Sequence, residues 1–574
     1  MPHSQPSPTH CRAIMLKVLT GDGQLLADRA LPLLDTQATR QLECTLASTL
    51  PPHTLMKRAG AAVAAMACAV APHAQVIWIA CGPGNNGGDG LMAAALLANW
   101  AAACGAQLTV SWCGNENHMP ADARFALQQA RNAGVIFSDH PPERCDLGID
   151  ALLGLGIRQQ HEGHNRTPPS TIDKWVHCLH TRCETLLCVD LPSGLDADTG
   201  TYSIAPCKEP SSFKKLFCLT FLTLKPGLFT AQGRDFAGEI WFDDLGASAL
   251  DAATNAQPSP AAWLGLHVNE TASQHHGSPL RHNTHKGLFG DVWVLGGQGL
   301  QPSGVGMTGA AMLAAKAALH GQAGRVLVAM LDAQSPSWDA TQPELMLRSA
   351  RTLQTSTPLP AGTWVCGCGG GEAIQAHLPK VLAEASQLVL DADALNALSA
   401  SATLMSILRE RPSRGQITVL TPHPLEAARL LNWSTAQVQS NRLEAARVIA
   451  TQNQCICVLK GSGTILATPS GLVSINPSGN SRLSTAGTGD VLAGMLGASL
   501  SRALSHWPNA TRPTTLEQHA TWLDQHVLPA VAAAVWAHGR VADTWPSTHA
   551  LTASQLAEAF TPFTPPTSSQ LAAR

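Results

Sequence analysis

The chain has 574 residues, well beyond the roughly 250–300 residues at which a single hydrophobic core stops growing, so we expect two large domains. Hydrophobic residues make up 45% and charged residues 13%, and the formal net charge is −3, which excludes a strongly basic protein that binds nucleic acid or a membrane surface. No run reaches the ~18 apolar residues of a membrane helix, and the N-terminus lacks the basic and apolar regions of a signal peptide. We therefore expect a cytoplasmic protein whose cysteines are buried free thiols.

The first half of the chain predicts alternating helices and strands. Apolar residues at helical spacing cover 46–71 and 90–104, and short apolar runs that end at glycine or polar residues predict strands at 75–80, 107–112, 147–153 and 186–190. This alternation is typical of a parallel sheet covered on both faces, which binds ligands beyond the carboxyl ends of its strands. We assign this domain to 17–250, after a disordered N-terminus at 1–16.

A segment with little periodicity, 251–276, predicts a linker because it mixes Ala, Pro, Ser, Gln and Asn. A second alternating series follows, with a helix at 304–323 and strands at 291–295, 325–329, 388–391, 416–420 and 455–459. We assign this second α/β domain to 277–560, with a polar insertion at 505–525 and a disordered tail at 561–574. The two halves share no internal repeat.

A glycine-rich loop, 82–90, lies between a predicted strand and a predicted helix, and five of its nine positions are glycine. Its backbone N–H groups can bind an anion at the helix N-terminus, although tight packing alone would also explain the glycines. Asp89, Asp150 and Asp190 are expected at one edge of the same sheet. Carboxylates clustered with hydroxyl and carbonyl oxygens suit a hard cation.

The loop 82–90, together with 150–154, 192–200 and 224–228, resembles the NAD(P)H-hydrate epimerase family over roughly residues 17–250. The resemblance implies a Rossmann-like α/β/α sandwich, and the stretch 203–219 departs from the family's pattern. It implies that the hydrated nicotinamide nucleotide contacts Asn85, Asn86, Gly87, Gly88, Asp89, Gly154, Leu155, Gly156, Ile157, Arg158, Gln159, Gln160 and Asp190. It also implies that a potassium ion is held by Asn86, Asp150 and Ser193, and that Asp190 is catalytic, moving a proton during inversion at C6.

A second loop of small residues, 484–494, opens a predicted apolar helix. Its N–H groups can stabilise a transferring phosphoryl group, and Asp490 can accept the proton of an attacking hydroxyl, although an aspartate there is also a common helix cap. The stretch 460–464 follows a predicted strand and can cradle nucleotide phosphates. Polar residues also end two further strands, with His423 and Glu426 at one and 391–396 at the other.

These stretches, with 285–287, 304–309 and 343–346, occur in the order found in the ADP-dependent NAD(P)H-hydrate dehydratases, which they resemble over roughly 275–560. The resemblance implies a ribokinase-like α/β domain that follows the Rossmann-like one, with Mg²⁺ and with ADP as co-substrate. It implies a catalytic base at Asp490, hydrate-binding residues Gly304, Gly369, Gly371, His423 and Asp490, and nucleotide-binding residues Lys460, Gly461, Ser462, Gly463, Thr464 and Gly489. Here 367–371 is Gly-Cys-Gly-Gly-Gly where the family usually has Gly-Pro-Gly-Leu-Gly, and Ala486 replaces a usual glycine.

Together the two resemblances imply a bifunctional metabolite repair enzyme, an isomerase and a lyase in one chain. It would interconvert the R and S forms of hydrated NADH and NADPH at C6 and dehydrate the S form at the expense of ADP, giving AMP and phosphate. We expect small-molecule partners without nucleic acid or membrane, and assembly into a homo-oligomer. Two alternatives stay open, a ribokinase-like kinase of vitamin precursors with an accessory domain and a first domain that is a binding module.

Overall fold

The computed structural model describes residues 15–19, 30–156, 170–204, 214–247, 259–265, 282–283, 285–301, 304–334, 339–504, 513 and 515–560. These residues fall into two compact units, the first within 15–19 and 32–261 and the second within 30–31 and 262–560. Both units are α/β structures with a mostly parallel sheet, which confirms the predicted fold class. No helix among the described residues is long and apolar enough to cross a membrane.

The sheet of the first unit runs in the order β1-β9-β8-β7-β6-β3-β4-β5, and all neighbours are parallel except β1 and β9. The connection that follows β3 runs toward β4, and the connection that follows β6 runs the opposite way, toward β7. A crevice therefore opens beyond the ends of β3 and β6. The strands of this sheet are β1 (Leu16–Lys17), β3 (Val76–Cys81), β4 (Gln107–Trp112), β5 (Ile136–Phe137), β6 (Cys145–Ala151), β7 (Cys183–Val189), β8 (Lys215–Phe221) and β9 (Glu239–Asp243), and β2 (Leu31–Leu33) is not part of it. The helices are α1 (Thr36–Thr49), α2 (Thr54–Val70), α3 (Asn85–Cys104), α4 (Ala121–Asn132), α5 (Thr171–Arg182) and α6 (Gly233–Phe236).

Two helices stand where the sequence predicted a single one over 46–71. The chain breaks after α1 because Pro51 and Pro52 have no N–H groups to continue a helix. Helix α3 begins at Asn85, five residues before the predicted start, and packs against α2 and α4. A Cβ at Gly88 would lie 2.7 Å from Met56 Cε and 2.8 Å from Ala123 Cα, so glycine permits this close approach.

The sheet of the second unit runs β13-β12-β11-β14-β15-β16-β17-β18-β19-β10. Strands from β13 to β17 are parallel, whereas β18 is antiparallel to both of its neighbours. The strands are β10 (Ala262–Leu264), β11 (Asp291–Gly296), β12 (Arg325–Met330), β13 (Met346–Ser349), β14 (Thr363–Cys366), β15 (Gln387–Leu390), β16 (Ile417–Leu420), β17 (Ile456–Leu459), β18 (Ile465–Ala467) and β19 (Val473–Ile475).

In this second sheet the connections that follow β11 and β14 run in opposite directions, so a crevice opens beyond the ends of these two strands. The helices are α7 (Thr308–His320), α8 (Arg351–Thr355), α9 (Leu378–Glu384), α10 (Asp393–Ser399), α11 (Ala402–Glu410), α12 (Pro424–Leu431), α13 (Thr435–Ser440), α14 (Arg442–Asn453), α15 (Thr488–Leu504), α16 (Leu516–His526), α17 (Leu528–Thr544) and α18 (Ala553–Ala559).

Three predicted features of organisation can be compared with these elements. Strand β10 lies inside the segment 251–276 and pairs with β19. Helix α16 occupies much of the stretch predicted as a polar insertion, and its buried residues Trp522 and Leu523 join the core, so that prediction is wrong there. The tail 561–574 lies outside the described residues.

The cysteine prediction also needs correction. Cys145 and Cys183 are register partners in β6 and β7, with Cα atoms 4.7 Å apart, and they form a disulfide that sequence spacing does not reveal. Cys44 and Cys104 are free but exposed. Eight other cysteines are free and buried as expected, namely Cys81, Cys178, Cys188, Cys218, Cys366, Cys368, Cys455 and Cys457.

Candidate active sites

A cavity of about 420 Å³ occupies the crevice of the first unit. The loops after β3 and β6 form part of its wall, and helix α1 forms another part. Gly87 and Gly88 lie outside the cavity lining, and a Cβ at Gly87 would meet Gly82 O at 2.0 Å, so these glycines serve packing. Ile157, Arg158, Gln159 and Gln160 lie outside the described residues. The lining includes the predicted contacts Asn85, Asn86, Asp89, Gly154, Leu155, Gly156 and Asp190.

Helix α3 begins at this cavity without a side-chain cap, because its N-cap residue is Gly84. The first N–H groups of such a helix lack intrahelical partners and can bind an anionic group. The amide oxygen and nitrogen of Asn86 are buried and have no hydrogen-bond partner among the described residues. Buried polar atoms are almost always satisfied, so the side chain of Asn86 is arranged for a ligand or an ion.

Asp150 and Ser193 form a buried pair at the ends of β6 and β7. Ser193 donates to the Asp150 carboxylate from its N–H at 2.9 Å and from its hydroxyl at 2.5 Å. Burial raises the pKa of Asp150, and the hydrogen bonds from Ser193 and Leu152 oppose that rise. The pair therefore offers buried oxygen atoms close to the cavity, because Leu152, two positions after Asp150, already lines it.

The Asp190 carboxylate is held in place at the end of β7. Its backbone is left-handed, with φ of 65°, which turns the chain sharply after β7. Its Oδ1 atom accepts from Lys225 Nζ at 2.5 Å, from Phe221 N at 3.1 Å and from Thr220 Oγ1 at 3.3 Å. The side chain of Lys225 is 1% exposed and that of Asp190 13%, so this ion pair is buried at the cavity wall.

Further carboxyl groups line the same cavity. Burial raises the pKa of Asp89 well above its usual range, and the charges of Asp190 and Glu43 add to the rise. Burial also raises the pKa of Glu43, with Asp190 adding to it. Asp122 lies 2.5 Å from His53 Nδ1, so it is paired. The cavity thus combines one carboxylate held by a lysine with two carboxyls whose pKa values are raised by burial.

In the second unit, the loop 367–371 lies in the crevice between β11 and β14. Gly297 N donates to Cys368 O at 3.1 Å and Gln298 N to Gly369 O at 2.7 Å, which joins the loops that follow these two strands. Gly369 and Gly371 have φ of 57° and 53°, and Gly371 N donates to Asp393 Oδ2 at 2.8 Å. Among the described residues that are not its chain neighbours, no atom lies within 4 Å of a Cβ added at Gly304, so a ligand can approach this position.

Asp490 lies in the first turn of α15, directly after the loop 484–487. Its carboxylate, the Asp391 carboxylate and Cys368 Sγ have ligand atoms within 4.8 Å of one another. Burial raises the pKa of Asp490 to about 6, and the nearby Asp391 adds to this rise. Ala486 does not occur among the described non-glycine residues with positive φ, so the loop accommodates it without that strain.

Lys460 connects the end of β17 to this carboxylate cluster. Its Nζ donates to Asp391 Oδ1 at 2.5 Å, and the hydroxyl of Thr421 donates to the same atom at 2.8 Å. Burial acts to lower the pKa of Lys460, but the charges of Asp391 and Glu426 outweigh it and the pKa is raised. A Cβ at Gly489 would lie 3.4 Å from Lys460 Nζ, so glycine keeps this space open for a ligand.

The loop 460–464 has a shape suited to phosphate. Gly461 and Gly463 have φ of 132° and 63°, and Thr464 Oγ1 donates to Gly461 O at 3.2 Å, while Ser462 is exposed. The buried guanidinium of Arg442 donates to Lys460 O at 3.2 Å and to Leu459 O at 3.4 Å, which fixes the start of the loop.

His423 caps helix α12 at the neighbouring strand end. Its Nδ1 accepts from the N–H groups of Leu425 and Glu426, so the proton of the neutral ring is on Nε2, 3.4 Å from Glu426 Oε1. Burial lowers the pKa of His423, and it raises the pKa of the buried Glu426 to about 7. The ring is half-exposed, so it can contact a ligand while it holds the helix start.

Comparison with known proteins agrees with this two-site arrangement. Residues 52–227 match the family model described as YjeF-related protein N-terminus, and residues 294–562 match the model described as NAD(P)H-hydrate dehydratase. A bifunctional NAD(P)H-hydrate repair enzyme from Escherichia coli strain K12 is 33% identical over 466 residues, which covers 80% of this chain and 82% of that protein. The chain belongs to the bifunctional NAD(P)H-hydrate repair enzymes.

Other similar proteins are bifunctional repair enzymes or single dehydratases. A bifunctional repair enzyme from Coxiella burnetii is 32% identical and covers 82% of this chain and 91% of its own length. An ADP-dependent (S)-NAD(P)H-hydrate dehydratase from Neisseria meningitidis is 36% identical over 49% of this chain and 85% of its own length. A solved Bacillus subtilis dehydratase, co-crystallised with ATP and Mg²⁺, is 26% identical and covers 51% of this chain and 95% of its own, with a TM-score of 0.37.

The membership confirms the family and the bifunctional activity expected from the sequence. Four residues of the two sites were not predicted as site residues. Glu43 belongs to no recognised stretch, whereas Lys225, Asp391 and Cys368 lie inside stretches that the sequence had singled out without giving them a role. The lysine in 224–228 was a usable signal, because a lysine between apolar residues and Pro-Gly needs an anionic partner once it is buried.

Proposed function

We propose that the repair enzyme acts in two consecutive steps on hydrated NADH and NADPH. The first domain, 17–250, interconverts the R and S epimers at C6, and the second, 277–560, dehydrates the S form with ADP. The observation that carries the proposal is the position of Asp490 at the start of α15, beside the Asp391–Lys460 pair. Similarity to the ADP-dependent (S)-NAD(P)H-hydrate dehydratase of Neisseria meningitidis supports both the S form and ADP.

In the second site, hydroxide leaves the C6 carbon poorly, whereas phosphate leaves it well. Asp490 accepts the proton of the C6 hydroxyl while that oxygen attacks the β-phosphoryl group of ADP, and the bond to AMP breaks. The lone pair of the ring nitrogen then expels phosphate, and loss of a C5 proton restores the reduced ring. Lys460, Gly461, Ser462, Gly463, Thr464 and Gly489 hold the nucleotide, and Gly304, Gly369, Gly371 and His423 hold the hydrate.

The residues around Asp490 also bear on magnesium. Two carboxylates, Asp391 and Asp490, offer oxygen ligands of the kind Mg²⁺ prefers, but Asp391 already accepts from Lys460 and Thr421. Bound Mg²⁺ would therefore be held mainly through the nucleotide phosphates. When bound, Mg²⁺ neutralises charge that develops on the transferring phosphoryl group.

In the first site, Asp190 accepts and returns a proton during inversion at C6, while its lysine partner keeps the carboxylate oriented. The contacts proposed for the hydrate are Asn85, Asn86, Asp89, Gly154, Leu155, Gly156, Ile157, Arg158, Gln159, Gln160 and Asp190. The unpartnered amide of Asn86 and the buried oxygens of Asp150 and Ser193 fit a potassium ion, because K⁺ takes neutral and charged oxygen ligands. We also propose a homo-oligomer and a cytoplasmic location.

A single assay tests the two activities together. Mixed epimers of NADH hydrate, ADP and Mg²⁺ are added to the full chain, and recovery of the reduced-nicotinamide absorbance is followed. We expect complete recovery in K⁺ buffer. Recovery that stops when the S form is used up would mean that the first site is inactive. Release of a stable phosphorylated product from ATP would instead support a vitamin-precursor kinase.

The potassium assignment has its own measurement. The rate of R-to-S conversion is compared in K⁺ buffer and in buffer whose cation is a large organic ammonium at the same ionic strength. We expect a lower rate without K⁺, and we expect Asn86→Ala to remove the difference between the two buffers. An equal rate in both buffers for the unmodified chain would refute the K⁺ site.

A further inference from the structure

We infer that Glu43 is a second catalytic acid–base residue of the epimerase cavity, and that it exchanges a proton with the ring nitrogen while Asp190 exchanges one with the C6 oxygen. The inference rests on the proposed epimerase function and extends it, because inversion at a carbon that carries both nitrogen and hydroxyl needs a proton donor as well as an acceptor.

Helix α1 carries Glu43 into the cavity. Thr39, Arg40, Glu43 and Ala47 recur at helical spacing on one face of α1, and all four line the cavity that contains Asp190. Two contacts fix this face, since Thr39 Oγ1 lies 2.7 Å from Thr223 Oγ1 and Arg40 donates to Leu155 O at 2.8 Å.

The carboxyl group of Glu43 is free to act on a ligand. Within the part of the chain that the structure describes, it makes no hydrogen bond and no ion pair to another residue, although Arg40 is on the same helix face. The contrast is with Asp122 in the same cavity, which is paired with His53. A carboxyl that lines a ligand cavity and has no structural task is a candidate for chemistry.

Glu43 and Asp190 have different charged neighbours, although both line the same cavity. Burial raises the pKa of Glu43, Asp190 and Asp122 add to the rise, and Lys225 and Arg40 oppose it without cancelling it. Asp190, in contrast, accepts a hydrogen bond at 2.5 Å from the buried ammonium group of Lys225. The unpartnered Glu43 carboxyl is therefore suited to donate a proton, and the lysine-held Asp190 carboxylate to accept one.

The chemistry balances without any co-reactant. In the opening step Asp190 takes the C6 hydroxyl proton, the oxygen electron pair forms a C6=O double bond, the bond from C6 to the ring nitrogen breaks, and Glu43 gives its proton to that nitrogen. Rotation about C5–C6 turns the other face of the aldehyde toward the nitrogen. Closure reverses each transfer, so the nitrogen returns its proton to Glu43 and the new hydroxyl takes its proton from Asp190.

The test uses Glu43→Gln in the full chain with R-enriched NADH hydrate, ADP and Mg²⁺, and the variant's own unmodified second site reports the S form as it appears. General acid catalysis contributes about 10²–10⁴-fold, so we expect the epimerisation rate to fall by about 10²-fold or more. The unmodified chain should also lose rate at high pH as Glu43 ionises, and the variant should lack this limb. The matched control is Glu116→Gln, an exposed glutamate of the same unit paired with Arg131, which should leave both unchanged.

The outcomes separate the inference from the proposed function. No epimerisation by the unmodified chain would refute the proposed function itself. An unmodified chain that epimerises, together with a Glu43→Gln variant of equal rate, would refute the inference. A slower variant that keeps the high-pH limb would also refute it, because that result assigns Glu43 a structural role. Glu43→Asp, which keeps the acid but shortens it, should retain the limb at a reduced rate.

Discussion

The dehydration step should depend on pH through Asp490. Burial and the charge of Asp391 raise the pKa of Asp490 to about 6. A general base must be ionised to accept a proton, so activity is present above this pKa and is lost as pH falls through it. A group with a pKa near 6 is about nine-tenths ionised at pH 7 and about one-tenth ionised at pH 5, which predicts an approximately tenfold loss of rate between them.

Replacement of the base tests the same reasoning at fixed pH. Asp490→Asn keeps the size of the side chain but cannot accept the proton, so kcat for dehydration of the S form should fall by about 10²–10⁴-fold. The binding of ADP should change little, because the proposed nucleotide contacts come from 460–464 and Gly489. Asp339→Asn is the control, since Asp339 is a surface carboxylate of the same unit that accepts from Thr341.

The assay is recovery of reduced-nicotinamide absorbance from S-form hydrate between pH 5 and pH 8, with kcat/KM as the readout because it reports the free enzyme. Two results would refute the assignment of Asp490 as the base. One is a profile without an inflection near pH 6 in the unmodified chain, and the other is an Asp490→Asn variant that keeps more than about a tenth of the activity.

Three further predictions follow from single contacts. Lys225→Met leaves the Asp190 carboxylate buried without its cation, so urea titration should show the first unit less stable by about 3–5 kcal/mol, whereas the exposed control Lys214→Met should change it by less than about 0.5 kcal/mol. Arg442→Met frees the carbonyls that fix the phosphate loop, so the KM for ADP should rise about tenfold; an unchanged KM would contradict that role. Cys368→Ala removes a hydrogen bond that lowers the pKa of Asp490, so the inflection should move to higher pH, whereas Cys368→Ser should leave it in place.

Much of the fold follows from local patterns, and its exceptions have local causes. The strand 107–112 has the predicted bounds because an apolar run is flanked by polar and glycine residues. The helix predicted at 46–71 merged two elements because apolar spacing continues across Pro51 and Pro52. The start of α3 was placed five residues late, since glycines normally weaken helices and the packing of Gly88 against Met56 and Ala123 is a tertiary effect.

The candidate sites divide in the same way. Asp190 and Asp391 each directly follow a strand, so their position at a sheet edge could be predicted from the sequence pattern alone. Glu43 could not, because its place in the cavity depends on how α1 is fixed by Thr39 and Arg40. The ion-pair partner of Lys225 could not be predicted either, because nothing in the sequence pattern links it to Asp190, 35 positions earlier.

The two sites share an electrostatic arrangement that no sequence repeat reveals. In each unit an aspartate that follows a central strand accepts from a lysine Nζ at 2.5 Å, Asp190 from Lys225 in the first and Asp391 from Lys460 in the second. In each, the lysine donates from a later loop or strand end of the same sheet. The pairing fixes one negative charge at the edge of the crevice.

In both units the charge of the lysine-paired aspartate affects the pKa of a neighbouring carboxyl group. A second carboxyl group lies beside each pair, Glu43 in the first unit and Asp490 in the second, and burial together with the neighbouring aspartate raises its pKa. Both proposed reactions begin by moving a proton from the oxygen on C6, next to a ring nitrogen. In the second site Asp490 takes this proton beside the Asp391–Lys460 pair, whereas in the first site the lysine-paired Asp190 takes it and Glu43 exchanges a proton with the nitrogen. A lysine–aspartate pair beside a second, partly buried acid therefore occurs in both sites, but the pair has a different task in each.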